Sequence, residues 1–305
     1  MAKETILITG AAGFTGHHAC QHFAGQGYEV VGAVRSLEGV KAIPGVRYVA
    51  CDLKDYASMQ RLVEEAQAEY VLHLGGKNAV KQSWEQPIDY METNVMGVLY
   101  LLDALRRSGR TSRVVLAHSR LRFQLTDHPV PNHPYGLSKS LGGMAALCWG
   151  QLFGQEVIIG EPGNLVGPGP STGICALIAK HIAAEEQAYS GRPFHLSSGL
   201  ERRDFLDVRD AVLAYELLLK QGQSGVIYPI CSGKERTLRE TAHSFSSLAQ
   251  VPVSIEEGDV SAIPQAGETQ GPEELIKLGF KPSIPWEQSV HDIVAYWRFE
   301  QGGQR

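Results

Sequence analysis

Residues 5–24 constrain the fold of this chain more than any other stretch. Thr5-Ile6-Leu7-Ile8-Thr9 is a short apolar run that leads directly into Gly10-Ala11-Ala12-Gly13-Phe14-Thr15-Gly16, after which a helical pattern continues to Ala24. The run has the character of a strand buried on both faces of a parallel sheet. Strand, glycine turn and helix in that order form the context in which a glycine motif binds a dinucleotide. Glycine lets the backbone turn tightly and approach a pyrophosphate, whose charge suits a helix N-terminus. Gly10, Gly13, Phe14, Thr15 and Gly16 are therefore the expected cofactor loop, although its spacing is Gly-x-x-Gly-x-x-Gly rather than Gly-x-Gly-x-x-Gly. The plainer alternative is an ordinary strand-to-helix turn.

The second apolar run, 29–34, ends in Arg35-Ser36. An acid at this point would hold a ribose 2′-hydroxyl, whereas an arginine suits a 2′-phosphate. The sequence thus favours NADP(H) and leaves NAD(H) open; as an alternative, Arg35 is only a solvated loop residue. Asp52 follows a third run at 48–51 and either contacts the adenine or caps the next helix.

Strand-like runs recur at 70–74, 113–117 and 156–160, separated by helical stretches, the longest at 88–107 and 135–153. This alternation predicts an α/β protein with a Rossmann-type, doubly wound parallel sheet. Glycine and proline collect at 161–170, a loop expected at the carboxyl edge of the sheet. Shorter elements follow: a helix at 208–220, a strand near 226–231, a helix from Leu238 and a last helix from Trp286. Residues 1–165 are read as the dinucleotide-binding domain, with later returns to its sheet. Residues 166–305 are read mainly as a smaller, interleaved C-terminal lobe, with the substrate cleft between the two.

A net charge of −5 without basic runs argues against nucleic acid as a partner. Cys20, Cys51, Cys148, Cys175 and Cys231 are scattered and odd in number, as expected of reduced thiols in the cytoplasm. No signal peptide and no bilayer-spanning apolar run is evident, so no membrane association is expected. His17-His18 lacks clustered partners, and no metal site is expected.

Within the predicted helix at 135–153, Tyr135 and Lys139 are spaced Tyr-x-x-x-Lys and lie on one face, a turn apart. A nearby cation favours phenolate, so the tyrosine is expected to titrate below its ordinary value and to exchange a proton with a carbonyl/alcohol pair. Ser119 follows the run 113–117, where residues past a strand's carboxyl end face the ligand crevice. Its hydroxyl is a third catalytic candidate, or else a simple cap. His118 alternates away from Ser119 and is read as packing or support.

With these residues in hand, the chain resembles the extended short-chain dehydrogenase/reductase superfamily of nucleotide-sugar epimerases, dehydratases and reductases. The likeness rests on residues 9–16, Asp52-Leu53, His73-Leu74-Gly75-Gly76, Thr93-Asn94-Val95, Ser119, Tyr135 with Lys139, Asn164 and Arg203-Asp204-Phe205. Residues 77–84, 166–169, 202–210, 231–234 and 277–287 are most similar to GDP-4-dehydro-6-deoxy-D-mannose reductases, which make GDP-D-rhamnose. The resemblance implies cofactor contacts at Asp52, Leu53, Leu74, Gly75, Gly76 and Asn94, with Lys139 on the cofactor ribose. It implies a nucleotide-sugar substrate touching Lys77, Asn164 and Arg203. Arg203 suits a diphosphate by its planar fork; an ion pair with Asp204 or Asp207 is the alternative. It also implies a homodimer through the helices at 88–107 and 135–153, whose apolar faces otherwise line the core.

Two departures from that pattern stand out. Ser119-Arg120-Leu121-Arg122-Phe123-Gln124 replaces the usual Ser-Ser-x-x-Tyr-Gly, and Glu161 stands where many members carry an arginine. An acid near a diphosphate is unfavourable unless it turns away or pairs. In the 4,6-dehydratases an Asp-Glu pair follows the catalytic hydroxyl, and Arg120-Leu121 can do neither proton transfer. The expected reaction is therefore NAD(P)H-dependent reduction of the 4-keto group of a nucleotide-linked 6-deoxy-4-keto sugar. A C4 epimerase with tightly bound NAD is the nearest alternative, and a non-catalytic NADP(H) sensor or scaffold is an alternative of another class.

Overall fold

In the computed structural model, residues 3–121, 123, 129–258 and 271–302 are described. The chain separates into two compact units: Met1–Pro162 with Val212–Tyr228, and Gly163–Ala211 with Pro229–Arg305.

The first unit is built on a seven-stranded sheet. Its strands are β1 (Thr5–Thr9), β2 (Glu29–Val34), β3 (Val46–Ala50), β4 (Tyr70–His73), β5 (Arg113–Ala117), β6 (Glu156–Pro162) and, from the end of the unit, β10 (Ile227–Ile230). The spatial order is β10-β6-β5-β4-β1-β2-β3, and β1 through β6 pair in parallel. From β1 the chain winds outward through β2 and β3, then returns to β4 on the other side and winds through β5 and β6. That reversal, between β1 and β4, is where an open α/β sheet leaves a crevice at the carboxyl ends of its strands. Ile6, Leu7 and Ile8 are buried, as expected of a strand covered on both faces by helices. The core beneath one face joins Leu7, Val31, Val71, Val114 and Val157 of five strands to Met59, Leu62, Leu101, Leu102 and Ala146 of the covering helices.

Helix α1 (Phe14–Gly25) follows β1, and α2 (Tyr56–Ala66) follows β3. The helix expected at 88–107 is instead three pieces: α4 (Pro87–Met91), a π-helical turn (Glu92–Met96) and α5 (Gly97–Arg107), preceded by α3 (Val80–Glu85). Pro87 starts α4 at its first turn, where a missing N–H costs nothing, and the widened turn carries Asn94. Helix α6 (Pro134–Phe153) matches the expected 135–153 and begins with His133 as N-cap and Pro134.

In the second unit, β7 (Asn164–Val166), β9 (Arg202–Asp207) and β11 (Glu235–Thr237) form one small sheet, and β8 (Phe194–Leu196) pairs with β12 (Ile255–Glu257). Helices α7 (Ile174–Gln187), α9 (Leu238–Ser246) and α11 (Trp286–Gly302) enclose a separate core that includes Ile178, Ile182, Phe205, Phe245 and Ile293. Helix α8 (Val208–Gln221) begins in this unit and continues into the first; α10 (Glu273–Lys277) is a short turn. No helix among the described residues is long and apolar enough to cross a membrane.

Candidate active site

The glycine loop is built by its missing side chains. Gly10 has φ +68°, and the Gly13 amide donates to the Gly10 carbonyl at 2.9 Å, closing the turn. A Cβ on Gly16 would lie 2.0 Å from the Gly10 carbonyl oxygen, so only glycine lets α1 start against this turn. Gly13 is the N-cap of α1, with no side chain capping the helix and no acid in its first turn. Its first amides are therefore left for an anion, which is the fit a dinucleotide pyrophosphate needs.

Two further loops converge on this turn. The Thr9 hydroxyl accepts from the Gly75 amide at 3.0 Å and lies 2.8 Å from His73 Nδ1, while the Leu74 amide donates to the Thr9 carbonyl at 3.3 Å. Which of the two donates follows from the tautomer of the His73 ring, whose Nε2 has no hydrogen-bond partner among the described residues. Burial, with the charge of Lys139 adding to it, pulls His73 down to about 3, so the ring stays neutral. Leu53 reaches the same place: a Cβ on Gly75 would meet its side chain. Thr9 and His73 stood within the motifs that carry the resemblance but were given no role of their own; the further signal available was a polar residue closing each of two neighbouring strands.

Some expected contacts have other roles. Asp52 does not cap α2; Asp55 does, accepting from the Ala57 amide, while Asp52 turns the loop by accepting from Lys54. A three-residue shift in the helix start separates the two readings. Arg35 lies exposed just past β2, where the sequence put it. Asn94 is buried in the π-helical turn and its amide is engaged by protein. It accepts from the Lys77 amide and donates to the Lys77 carbonyl and to Ser138, each at 2.9 Å. Asn94 thus fixes the loop beyond Gly76 from behind. The Lys77 ammonium pairs with Asp89 and bonds Gln86 at 3.0 Å, so its charge is already met within the first unit.

The proton-transfer residues come together within the first unit. Tyr135 is 6 % exposed and Ser119 8 %, and Ser119 lies near enough to the phenol to favour its ionised form. The phenol stacks against His133 and meets Tyr90 edge-on, at centroid distances of 5.8 and 6.3 Å. The expectation that Tyr135 titrates low is not met. Burial dominates and pushes the phenol above its ordinary value, and Ser119 only partly opposes this. Lys139 donates to the Ala117 carbonyl at 2.8 Å rather than to the phenol. Part of its side chain remains accessible, yet the ammonium is surrounded by enough protein that desolvation lowers it to about 8. Sequence spacing placed Tyr135 and Lys139 on one face but carried no information about how dry that face is.

Of the departures noted above, Glu161 is buried and lies 3.4 Å from His118 Nδ1. Arg120 is partly buried, Leu121 is exposed, and Arg122 and Gln124 lie outside the described residues.

In the second unit, Asn164 is exposed and donates to the Asp204 carbonyl at 3.0 Å. Arg203 pairs with Glu201 at 2.7 Å, not with Asp204 or Asp207. Those two acids have other partners: Asp204 accepts from the Ser232 and Lys234 amides, and Asp207 clasps Arg209. Glu201 lies just before β9, two residues from Arg203, a spacing that extended backbone places on one side.

A glycine cradle at the sheet's switch point and a buried Ser-Tyr pair with a lysine one turn on define an enzyme of the extended short-chain dehydrogenase/reductase type, with a nicotinamide dinucleotide as cofactor. The chain belongs to the NAD dependent epimerase/dehydratase family, whose pattern matches residues 6–231. Among its relatives, GDP-6-deoxy-D-mannose reductase of Pseudomonas aeruginosa is 28 % identical, over 96 % of this chain and 97 % of that protein. A dTDP-glucose 4,6-dehydratase of Xanthomonas campestris is 26 % identical over 97 % of this chain and 94 % of that one. The crystal structure of RMD from Pseudomonas aeruginosa complexed with NADPH superposes with a TM-score of 0.80 at 27 % identity, covering 97 % of this chain and all of that one (100 %). The Thermus thermophilus UDP-glucose 4-epimerase complex with NAD shares the fold, with a TM-score of 0.82 at 24 % identity over 96 % and 98 % of the two chains.

Proposed function

We propose that this enzyme is a reductase that uses NADPH to reduce the 4-keto group of a nucleotide-linked 6-deoxy-4-keto sugar, with GDP as the nucleotide. The observation that carries the reading is the buried Tyr135 beside a buried Ser119, with Arg120 and Leu121 following Ser119. The two hydroxyls can hold and protonate one oxygen, but positions 120 and 121 offer no pair of carboxyls for removing water. The likeness to the Pseudomonas aeruginosa reductase supports the GDP-sugar, and Arg35 past β2 supports the 2′-phosphate.

A bound nicotinamide supplies the hydride. Tyr135, kept protonated by burial, gives its proton to the oxygen as alkoxide character develops at C4. Ser119 holds the same oxygen, a bond that strengthens as charge forms. Lys139 holds the cofactor ribose, and its ammonium favours the phenolate left behind. Asn164 and Arg203 take the diphosphate, with Lys77 as a further substrate contact. The active form is a cytoplasmic homodimer, to which the exposed apolar residues Met96, Leu141, Met144, Leu152 and Phe153 of the π-helical turn and α6 contribute.

The test follows oxidation of NADPH, and separately NADH, by the purified protein with GDP-4-keto-6-deoxymannose, and sizes the protein by light scattering. Turnover that prefers NADPH and vanishes in Tyr135→Phe is expected. Cofactor binding without turnover would remove the GDP-sugar and direct the search to UDP- and dTDP-linked ketosugars and a C4 epimerase assay. Silence across that whole panel would favour a non-catalytic NADP(H) sensor.

A further inference from the structure

His118 immediately precedes Ser119, and its side chain is buried among three elements of the first unit. Its Nε2 lies 2.5 Å from the main-chain carbonyl of Lys139 on α6. Its Nδ1 faces the carboxylate of Glu161 on β6 at 3.4 Å. A carbonyl oxygen only accepts, so Nε2 carries a proton. Nδ1 makes no hydrogen bond among the described residues, so the ring is held through Nε2. Helix α6 is shaped to admit the ring, because a Cβ on Gly143, one turn past Lys139, would lie 2.5 Å from Nε2. A histidine that only filled space would not need the donor.

We propose that His118 is a positioning residue of the proton-transfer site: an imidazole whose Nε2–H pins the Lys139 carbonyl and so the turn of α6 carrying Tyr135 and Lys139. The inference rests on the assignment of Tyr135 as proton donor, but half of its test does not.

That half is ¹⁵N-resolved NMR of the His118 ring at neutral pH, assigned by loss of the signal in His118→Gln. A proton on Nε2 in the wild-type protein is expected. A proton on Nδ1 with Nε2 bare would overturn the proposal. The kinetic half compares His118→Leu, which keeps volume and loses the donor, with His118→Gln, whose amide N–H reaches the same carbonyl. A fall in kcat of about tenfold or more at nearly constant KM is expected for the leucine, with the glutamine within roughly threefold of wild type. Equal rates for the two would reduce His118 to packing. Should the leucine variant not fold, His118→Met takes its place, and an unchanged kcat in it would count against the proposal. An inactive wild-type protein would sink the reductase reading alone, with the ring's protonation still deciding the role of His118.

Discussion

Lys139 in the first unit and Arg209 in the second are both cations drawn partly out of water, and their surroundings are opposite. Lys139 meets a backbone carbonyl, no carboxylate among the described residues lies within salt-bridge reach, and desolvation pulls it down to about 8. Arg209 is clasped by Asp207 and Asp292, with Nε to Asp207 at 2.8 Å and Nη1 to Asp292 at 2.7 Å. The Asp207 bonds outweigh its burial and hold it above the ordinary guanidinium range. The Asp207 carboxylate is fully buried and also accepts from Ser289 at 2.6 Å. A cation left short of partners keeps capacity for a ligand, whereas a fully clasped one has none left and serves the fold. Perturbed groups of the first kind mark function and those of the second mark architecture.

The sharpest way to break this contrast is to remove one group from each side. Tyr135→Phe is expected to lower kcat by about 10²–10⁴, some 3–5 kcal/mol of barrier, while the melting temperature changes little; calorimetry beside the NADPH assay reads both. Asp207→Ala is expected to do the reverse. Leaving Arg209 without its main partner costs about 3–5 kcal/mol of stability by urea unfolding, and NADPH affinity of the folded fraction stays within about twofold of wild type.

A third test uses pH. The folded protein releases the Lys139 proton near 8, and the unfolded chain holds it to about 10.4. Between those values the unfolded state binds more protons, so this lysine makes stability rise with pH across that window. Lys139→Met should lose that alkaline gain, which melting temperatures from pH 7.5 to 10 would register. Asp292 acts with the same sign in a lower window. Its burial pushes it up, but the Arg209 and Gln288 bonds together prevail and hold it below the usual carboxylate range. It contributes stability above about pH 4, lost as pH falls through its folded value. The smallest effect is expected at the α9 capping box, where Thr237 and Glu240 satisfy each other's amides. Thr237→Ala should cost about 1 kcal/mol and leave turnover unchanged.

The elements of the first unit were legible because their signals are local. Apolar runs set six strands of its sheet, and the glycine loop could take one conformation only. The spacing of Tyr135 and Lys139 also survived, since α6 is regular through both. What escaped depends on neighbours distant in sequence. The dryness around Tyr135 comes partly from Tyr90, far back in the chain, and Glu161 lies against His118 of the neighbouring strand's end. Asn94 carried a motif but not its engagement, because the Lys77 backbone and Ser138 reach it from separate segments. The continuity of the helix at 88–107 was misjudged for a different reason, although its end at Arg107 was not: apolar periodicity does not register a single widened turn.

That widened turn, Glu92–Met96, has a practical consequence for anyone engineering the surface of the first unit. A π-helical turn holds one residue more than its α counterpart, so side chains after Met96 are displaced around the axis by up to about 100° from where an unbroken spiral would put them. Plotting 88–107 on one helical wheel would therefore merge two faces that do not line up. Ile88, 68 % exposed, and Leu101, 1 % exposed, illustrate the problem: both are apolar, but they belong to separate helices with separate phases. Substitutions meant to tune self-association belong on wheels drawn separately for Pro87–Met91 and Gly97–Arg107. Deleting one residue within 92–96 would regularise the helix and rotate Asn94 away from Lys77, exchanging a smoother backbone for a loosened cofactor loop.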